Sequence, residues 1–280
     1  MSTVVTLISD WQESDYYIAA VKGRLISHIP DVTIVDITHN VPRGGLAAAT
    51  YLLRNAYHNF PKGTIHIIGI MDIESKRSPH VVVNYDGHYF IGADNGQFHD
   101  IFSSEPEQIF EITAYQEGTS FTFPSRDRFP VVAASIARGN DLSKIGVPAK
   151  LRARAKEPLE IYSREKENGL IVDVPVLYVD AAGNTVLNIT RKVFSSTLKK
   201  YPFFSIEIGG FSNERDMKRI LLRIDKISEA YQDTGSGDGC ALFLDNDYLE
   251  LSVNNGSLHD LTGLDMYSSV RIEFSAIKIL

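Results

Sequence analysis

Residues 4–70 alternate short β-branched runs with amphipathic stretches, and no other feature limits the fold of this chain more. Val4 to Ile8 is a run of strand formers stopped by Ser9-Asp10. From Asp15 to His28 the apolar positions Tyr17, Ile18, Val21, Leu25 and Ile26 recur at three-, four- and seven-residue spacing, which predicts an amphipathic helix ended by Pro30-Asp31. Val32 to Ile37 predicts a second strand, Gly45 to Tyr57 a second helix, and Thr64 to Ile70 a third strand that is almost continuously apolar. A strand without a polar face is covered on both sides, as in a parallel sheet flanked by helices. The β-α-β-α-β order therefore predicts an α/β domain with a mainly parallel, doubly wound sheet and its site at the C-terminal strand ends. Those ends carry Ser9-Asp10, Thr38-His39-Asn40 and Met71-Asp72. None has the glycine spacing of a dinucleotide-binding turn.

Further along, Val81 to Asn84 and Tyr89 to Gly92 bracket Tyr85-Asp86-Gly87-His88, a hairpin signature, and Arg128 to Arg138 reads as helix. Lys150 to Asn168 is rich in charge and lacks apolar periodicity, which predicts a solvated linker, placed at 161–168 between an α/β domain at 1–160 and a second domain at 169–280. From Gly169 onward the pattern is mostly strand: Leu170 to Val179, Thr185 to Ile189, Phe203 to Ile208, Cys240 to Leu244, Tyr248 to Val253 and Ser269 to Phe274. One run, Glu214 to Ile224, reads as helix. The second domain is thus expected to be smaller and mostly β.

Charge and cysteine content narrow the function classes. With 28 Lys and Arg against 35 Asp and Glu, the net charge of −7 disfavours nucleic acid and anionic membrane as partners. Cys240 is the one cysteine, so no intrachain disulfide is possible, and the histidines lack metal-ligand spacing, so no metal is expected. No apolar run reaches the roughly 20 residues that span a bilayer, and Met1 to Ser9 lacks a basic lead, which predicts a soluble, cytoplasmic protein.

Candidate chemistry gathers at the expected strand ends. Asp10 can accept hydrogen bonds from both hydroxyls of a ribose, or cap a helix. His39 can meet a ligand or brace its turn. The loop Asp72-Ile73-Glu74-Ser75-Lys76-Arg77 is densely charged after an apolar strand, a position where function concentrates. Asp94-Asn95-Gly96 has turn chemistry. Ser125 or Asp127 can cap a helix, and no GxSxG elbow marks Ser125 as a hydrolase nucleophile. Asp180-Ala181-Ala182-Gly183-Asn184 and Asn254-Asn255-Gly256-Ser257 are polar turns of the β domain.

Taken in order, these pieces resemble the S-adenosylmethionine hydroxide adenosyltransferase family, relatives of the fluorinase and chlorinase enzymes. The resemblance runs from Leu7-Ile8-Ser9-Asp10 through Asp15-Tyr16-Tyr17-Ile18, Ile34-Val35-Asp36-Ile37-Thr38-His39 and Phe60-Pro61-Lys62-Gly63-Thr64-Ile65-His66. It continues through Asp94-Asn95-Gly96, Tyr178-Val179-Asp180 to Asn188, and Tyr248-Leu249-Glu250 to Asn254. It implies a barrel-like C-terminal domain and a homotrimer, with S-adenosylmethionine held between the N-terminal domain of one protomer and the C-terminal domain of its neighbour. The implied reaction is in-line displacement of methionine from ribose C5′, with no cofactor beyond the substrate. By the resemblance Asp10 holds the ribose hydroxyls, Asp180 meets the methionine ammonium, Asn184 reads adenine, Tyr231 stacks on the base, and Asp245-Asn246 lies near the methionine carboxylate.

Departures from the family pattern are concentrated where water is prepared. Hydroxide-transferring members carry Asp-Pro-Gly-Val-Gly-Thr-x-Arg and a His in Thr-Phe-His-Gly-Arg-Asp. Here the first loop is Asp72 to Arg77, with its acid one residue late and without its glycines, and Pro124 stands in the place of the His. Asp72 and Arg77 are the candidates for preparing water, and Ser125, in the place of the family Gly, is a candidate halide contact. Three readings follow: hydrolysis to adenosine and L-methionine, a non-catalytic or repurposed binder of adenosine or S-adenosylmethionine, and halide transfer giving a 5′-halo-adenosine.

Overall fold

The structure, a computed structural model, describes residues 2–114, 122–152, 161–210 and 219–278. The chain divides into two compact units, residues 1–156 and 157–280. In the first, strand β1 (Val4–Ser9) leads to helix α1 (Tyr17–His28), β2 (Thr33–Thr38), α2 (Leu46–Ala56) and β3 (Ile65–Gly69). Then follow β4 (His80–Tyr85), β5 (His88–Ala93), α3 (Phe98–Ile101), β6 (Gln108–Ile112), α4 (Pro124–Asp127), α5 (Phe129–Ala137) and β7 (Gly146–Pro148).

These strands form one sheet in the order β2-β1-β3-β5-β4-β6-β7. The pairs among β2, β1, β3 and β5 are parallel, and those of β4 with β5, β4 with β6 and β6 with β7 are antiparallel. The sheet is therefore mixed, where a mainly parallel one is expected from the sequence. The reversal begins at the β4–β5 hairpin, whose Asp86 and Gly87 both take positive φ (49° and 70°), the backbone that a two-residue turn needs to match strand twist. Because β4 runs against β5 and β5 runs with β3, β4 starts at the edge where β3 ends. Residues 70–79 thus cross the sheet along that edge and never leave it.

Pleating sorts the residues of this unit between two faces. Val5 and Leu7 of β1 with Ile65 and Ile67 of β3 pack against Val21 and Leu25 of α1 and Phe129, Val132 and Ala133 of α5. On the other face, buried Thr6 shares a hydrogen bond of 2.7 Å with His66 Nδ1, and His66 Nε2 lies 3.2 Å from His88 Nδ1. The His66 ring stacks on Phe90 at 4.8 Å, with Tyr57, just beyond α2, packed edge-on.

The second unit contains β8 (Tyr162–Lys166), β9 (Gly169–Val179), β10 (Thr185–Thr190), α6 (Arg191–Lys200), β11 (Phe203–Gly210) and β12 (Arg219–Ile224). β13 (Gly239–Phe243), β14 (Tyr248–Val253), α7 (Leu258–Thr262) and β15 (Ser269–Ser275) complete it. Its pairs are all antiparallel, in the order β12-β11-β15-β9-β10-β14-β13, with β8 added to β9. The two end strands approach each other: a Cβ added at Gly239 of β13 would lie 3.2 Å from Ile224 Cδ1 of β12, so the sheet is a nearly closed barrel. Its interior holds Val174, Val176, Leu187, Ile206, Leu249, Leu251 and Ile272. Phe194 of α6 joins them, edge-on to Phe204 and Phe274 at 5.0 and 5.1 Å.

Two expectations are corrected here. Where 161–168 is read as linker, Tyr162–Lys166 is an exposed strand on β9, because main-chain pairing does not require apolar side chains. The helix expected at Glu214 to Ile224 contains strand β12, with Ile206 opposite Ile224 and Ile208 opposite Leu222, and residues 211–218 lie outside the described residues. The apolar cluster fits either period, and the partner strand decides. Among the described residues no helix is long and apolar enough to cross a membrane.

His66 makes a testable link between packing and pH. Burial first, and the neighbouring His88 second, hold its pKa down at about 3. The unfolded chain takes up that proton near pH 6.5, so the stability held by neutral His66 is complete above pH 6.5 and is lost as pH falls towards 3. Urea unfolding at pH 7 and pH 5 will show a loss of about 2 kcal/mol from this group, and His66→Phe will shrink the difference between the two pH values.

Candidate functional site

At the end of β1, Asp10 Oδ2 accepts the amide N–H of Gly44 at 2.8 Å, a glycine with φ of 68°. At the end of β3 the chain turns at Met71, which has a left-handed φ of 46°. A lone left-handed residue costs on the order of 1 kcal/mol and is kept where the surroundings enforce it. This turn delivers the Asp72 carboxylate to Ser125, at the start of α4: Oδ2 accepts the Ser125 hydroxyl in a short hydrogen bond and the Ser125 N–H at 3.3 Å. Both Ser125 bonds fall on Oδ2, and the Asp72 N–H adds a further hydrogen bond to the same carboxylate. Burial pushes the Asp72 carboxyl above its ordinary range, the Ser125 bonds oppose that rise, and the charge of Asp10 adds to it. The fold therefore brings Asp10, Asp72 and Ser125 together, from three separate stretches of sequence.

An aromatic wall stands beside them. Trp11 lies flat against His39 at 6.0 Å and meets Phe123 edge-on at 5.5 Å, and Tyr17 meets the same Phe123 at 5.3 Å. Trp11 fits because residue 69 has no side chain: a Cβ on Gly69 would lie 2.3 Å from Trp11 Cζ2. His39 is buried and braces the turn, with Nδ1 at 2.6 Å from Ser9 Oγ and Nε2 at 3.1 Å from Asp36 Oδ1. Asp94 is buried too, accepts the Arg152 N–H at 2.8 Å, and is held above its ordinary range by burial.

Arg77 is placed differently. Its side chain is exposed, on a turn where its own N–H donates to Ser75 Oγ at 3.2 Å. The guanidinium under this loop belongs to Arg128, which lies 2.9 Å from Glu74 and is buried. Arg128 is absent from the sequence-derived candidates. The one cue to it is a cation set directly against the helix start Phe129-Pro130 and the apolar run behind it.

In the second unit, the turn between β9 and β10 folds around Asp180. Its Oδ1 accepts the N–H groups of Ala182 and Asn184 at 2.9 and 2.8 Å, and its Oδ2 accepts the Asn184 side-chain amide at 3.0 Å. Gly183, with φ of 82°, passes so near α7 that an added Cβ would fall 2.1 Å from Ser257 Oγ. Tyr231 donates its hydroxyl to Glu250 at 2.8 Å. Burial, that bond and the charges of Glu250 and Asp180 push the Tyr231 pKa up to about 12, so it stays a donor. Asp180, Asn184, Tyr231 and Glu250 thus form one cluster. Asp245 and Asn246 sit in the β13–β14 turn, where Asn246 accepts the Tyr248 N–H at 3.1 Å. β14 leads from this turn to the cluster, with Tyr248 opposite Thr190 and Glu250, four residues after Asn246, opposite Val186.

Comparison with known proteins places the chain in a class. Residues 5–146 match the family model for the SAM hydroxide adenosyltransferase N-terminal domain, and residues 174–271 match the model for the C-terminal domain. The chain belongs to the SAM hydroxide adenosyltransferase family. It is similar to an (R)-S-adenosyl-L-methionine hydrolase of Thermus thermophilus, 25% identical over 96% of this chain and 98% of that one. It is similar also to the (R)-S-adenosyl-L-methionine hydrolase of Methanocaldococcus jannaschii, 26% identical over 73% of each. A solved structure of an uncharacterized conserved protein from Thermotoga maritima shares the fold, with a TM-score of 0.78 and 22% identity over 96% of this chain and 99% of that one.

The Trp11–Gly69 contact is open to test, because Trp11 is the single tryptophan. Gly69→Ala will displace the indole, shift its fluorescence emission and lower stability by about 1–3 kcal/mol in chemical unfolding, the usual cost of overpacking.

Proposed function

We propose that the protein hydrolyses S-adenosylmethionine to adenosine and L-methionine, by in-line attack of water on ribose C5′. Membership of the family supports the reaction class, and the observation that carries the reading is the Asp72 carboxylate. It is half-buried, held above its ordinary range, oriented by Ser125 and set beside Asp10. A carboxylate taken out of water is a stronger base than one left in it, and here Asp72 accepts the proton of the attacking water. Asp10 receives the ribose hydroxyls on the oxygen not used by Gly44, which fixes C5′ relative to Asp72. The sulfonium leaves as neutral methionine, so the reaction asks for no cofactor. In the second unit Asp180 meets the methionine ammonium, and Asn184 and Tyr231 meet the adenine. The Asp245-Asn246 turn, which leads along β14 to Glu250 of that cluster, meets the methionine carboxylate in this reading.

A single carboxylate does the work of a larger set. Pro124 stands where hydroxide-transferring relatives have a proton-accepting His, and Arg77 points to solvent. The second reading, a binder of S-adenosylmethionine or adenosine without turnover, draws its support from that Pro124. Halide transfer is disfavoured: the Ser125 hydroxyl that would hold the halide is already donated to Asp72. The assembly that suits this reading is a cytoplasmic homotrimer with the substrate bound at the joint between protomers. Light scattering gives its mass, and mixed trimers of Asp72→Asn with Asn184→Ala protomers will regain activity that neither variant has alone.

Chromatography of the purified protein with S-adenosylmethionine is expected to show adenosine and methionine in equal amounts. Asp72→Asn will lower kcat by about 10²–10⁴-fold with little change in KM, the usual cost of losing a general base. The kcat profile will rise with pH as Asp72 loses its proton, with its acid limb above the ordinary carboxylate range, the direction set by burial. Asp10→Ala will act mainly on KM. Wild-type adenosine no greater than in the Asp72→Asn control overturns the hydrolase reading, and calorimetric binding of adenosine then supports the second.

A further inference from the structure

Beneath the Asp72 loop runs a buried chain of polar groups that the proposed reaction does not itself use. Arg128 is 4% exposed and His80 is 1% exposed. Arg128 Nη1 lies 2.7 Å from His80 Nδ1 and 2.9 Å from Glu74 Oε2, and Nη2 donates to the Ile112 carbonyl. A guanidinium only donates, so His80 Nδ1 accepts and the ring proton sits on Nε2. That Nε2–H donates to the main-chain carbonyl of Asp72 at 2.7 Å. Burial first, and then the guanidinium, hold His80 below its ordinary pKa; the Asp72 carbonyl and Glu74 pull the other way, and Phe129 packs edge-on to the ring at 4.9 Å.

One guanidinium thereby ties down two points of the loop, Glu74 directly and Asp72 through the imidazole of His80, the first residue of β4. The same short stretch, Ser125 to Arg128, grips Asp72 from both sides: Ser125 holds its carboxylate, and Arg128 its carbonyl by way of His80. We propose that Arg128 and His80 are positioning residues that lock Asp72 in the orientation where its carboxylate meets Ser125 and the attacking water. This rests on the hydrolase reading for its catalytic consequence, though not for its geometry. Anchoring alone does not need a buried cation, because apolar packing of equal volume holds a loop as well or better. Orienting a main-chain carbonyl through an imidazole of fixed tautomer does need it.

The test compares the full-length protein with Arg128→Met, Arg128→Lys and the double variant Glu74→Gln/Arg128→Met. The double variant also removes the carboxylate charge that faces the guanidinium and serves if the single one fails to fold. For each, kcat and KM are measured by adenosine release, and the Asp72 carboxyl is titrated by carbon-13 NMR. Loss of the lock is expected to lower kcat by about 10- to 100-fold, the cost of a displaced catalytic group, with KM within about threefold of wild type. The Asp72 titration will move upward as the Ser125 bonds that hold it down are lost, and Arg128→Lys will recover part of both effects. A folded Arg128→Met or double variant with wild-type kcat and an unmoved Asp72 titration overturns the proposal. If the wild-type protein forms no adenosine, the hydrolase reading fails, and the carbon-13 titration alone decides the inference.

Discussion

A carboxylate drawn out of water close to a second carboxylate is the constraint around which the first unit is organised. Burial and the charge of Asp10 both push Asp72 towards its neutral form. The surrounding residues answer that tendency in kind. Two donors of Ser125 face the charge, a left-handed Met71 aims it, and Gly44 occupies one oxygen of Asp10 so that its carboxylate has a set direction. The result is a carboxylate held above its ordinary range, a stronger base than its exposed counterparts.

The reversal in the sheet is what makes this arrangement possible. A wholly parallel continuation would carry the chain after β3 to the opposite edge through a helix, taking Glu74 and His80 away from Asp72. Since β4 instead begins at the same edge, the loop is short, crosses the top of β5, and presents its charges to α4 and to the residue that follows it. The antiparallel hairpin at Asp86-Gly87 is remote from the site in space, but the site depends on it.

Much of this was visible in the chain and some was not, for separate physical reasons. The periods of 3.6 and 2 mark β1 to β3 and the first two helices within one or two residues, and Asp86-Gly87 marks its hairpin, because those signals are local. Asp10, Asp72 and Ser125 each show as a polar turn after an apolar run, while their union depends on sheet order and on a kink at Met71 that nothing local announces. Arg77 attracts attention by sequence proximity to Asp72, yet Arg128, far along the chain, provides the cation, since burial and not spacing decides which guanidinium is held. In the second unit Asp180 and Asn184 are legible as one turn. The path from Asp245-Asn246 along β14 to Glu250 follows from the β10–β14 register, which composition does not encode. Strand β8 escapes notice because its pairing is carried by the backbone.

Strand β15 lies between β9 and β11, although it follows β9 by almost a hundred residues. The second unit cannot seal its interior until Ser269 to Ser275 arrive, while the first unit joins β1, β2 and β3 from neighbouring segments. During synthesis the two halves therefore mature at different times: the first can condense on the ribosome as it emerges, and the second must wait, half assembled, for its central plank.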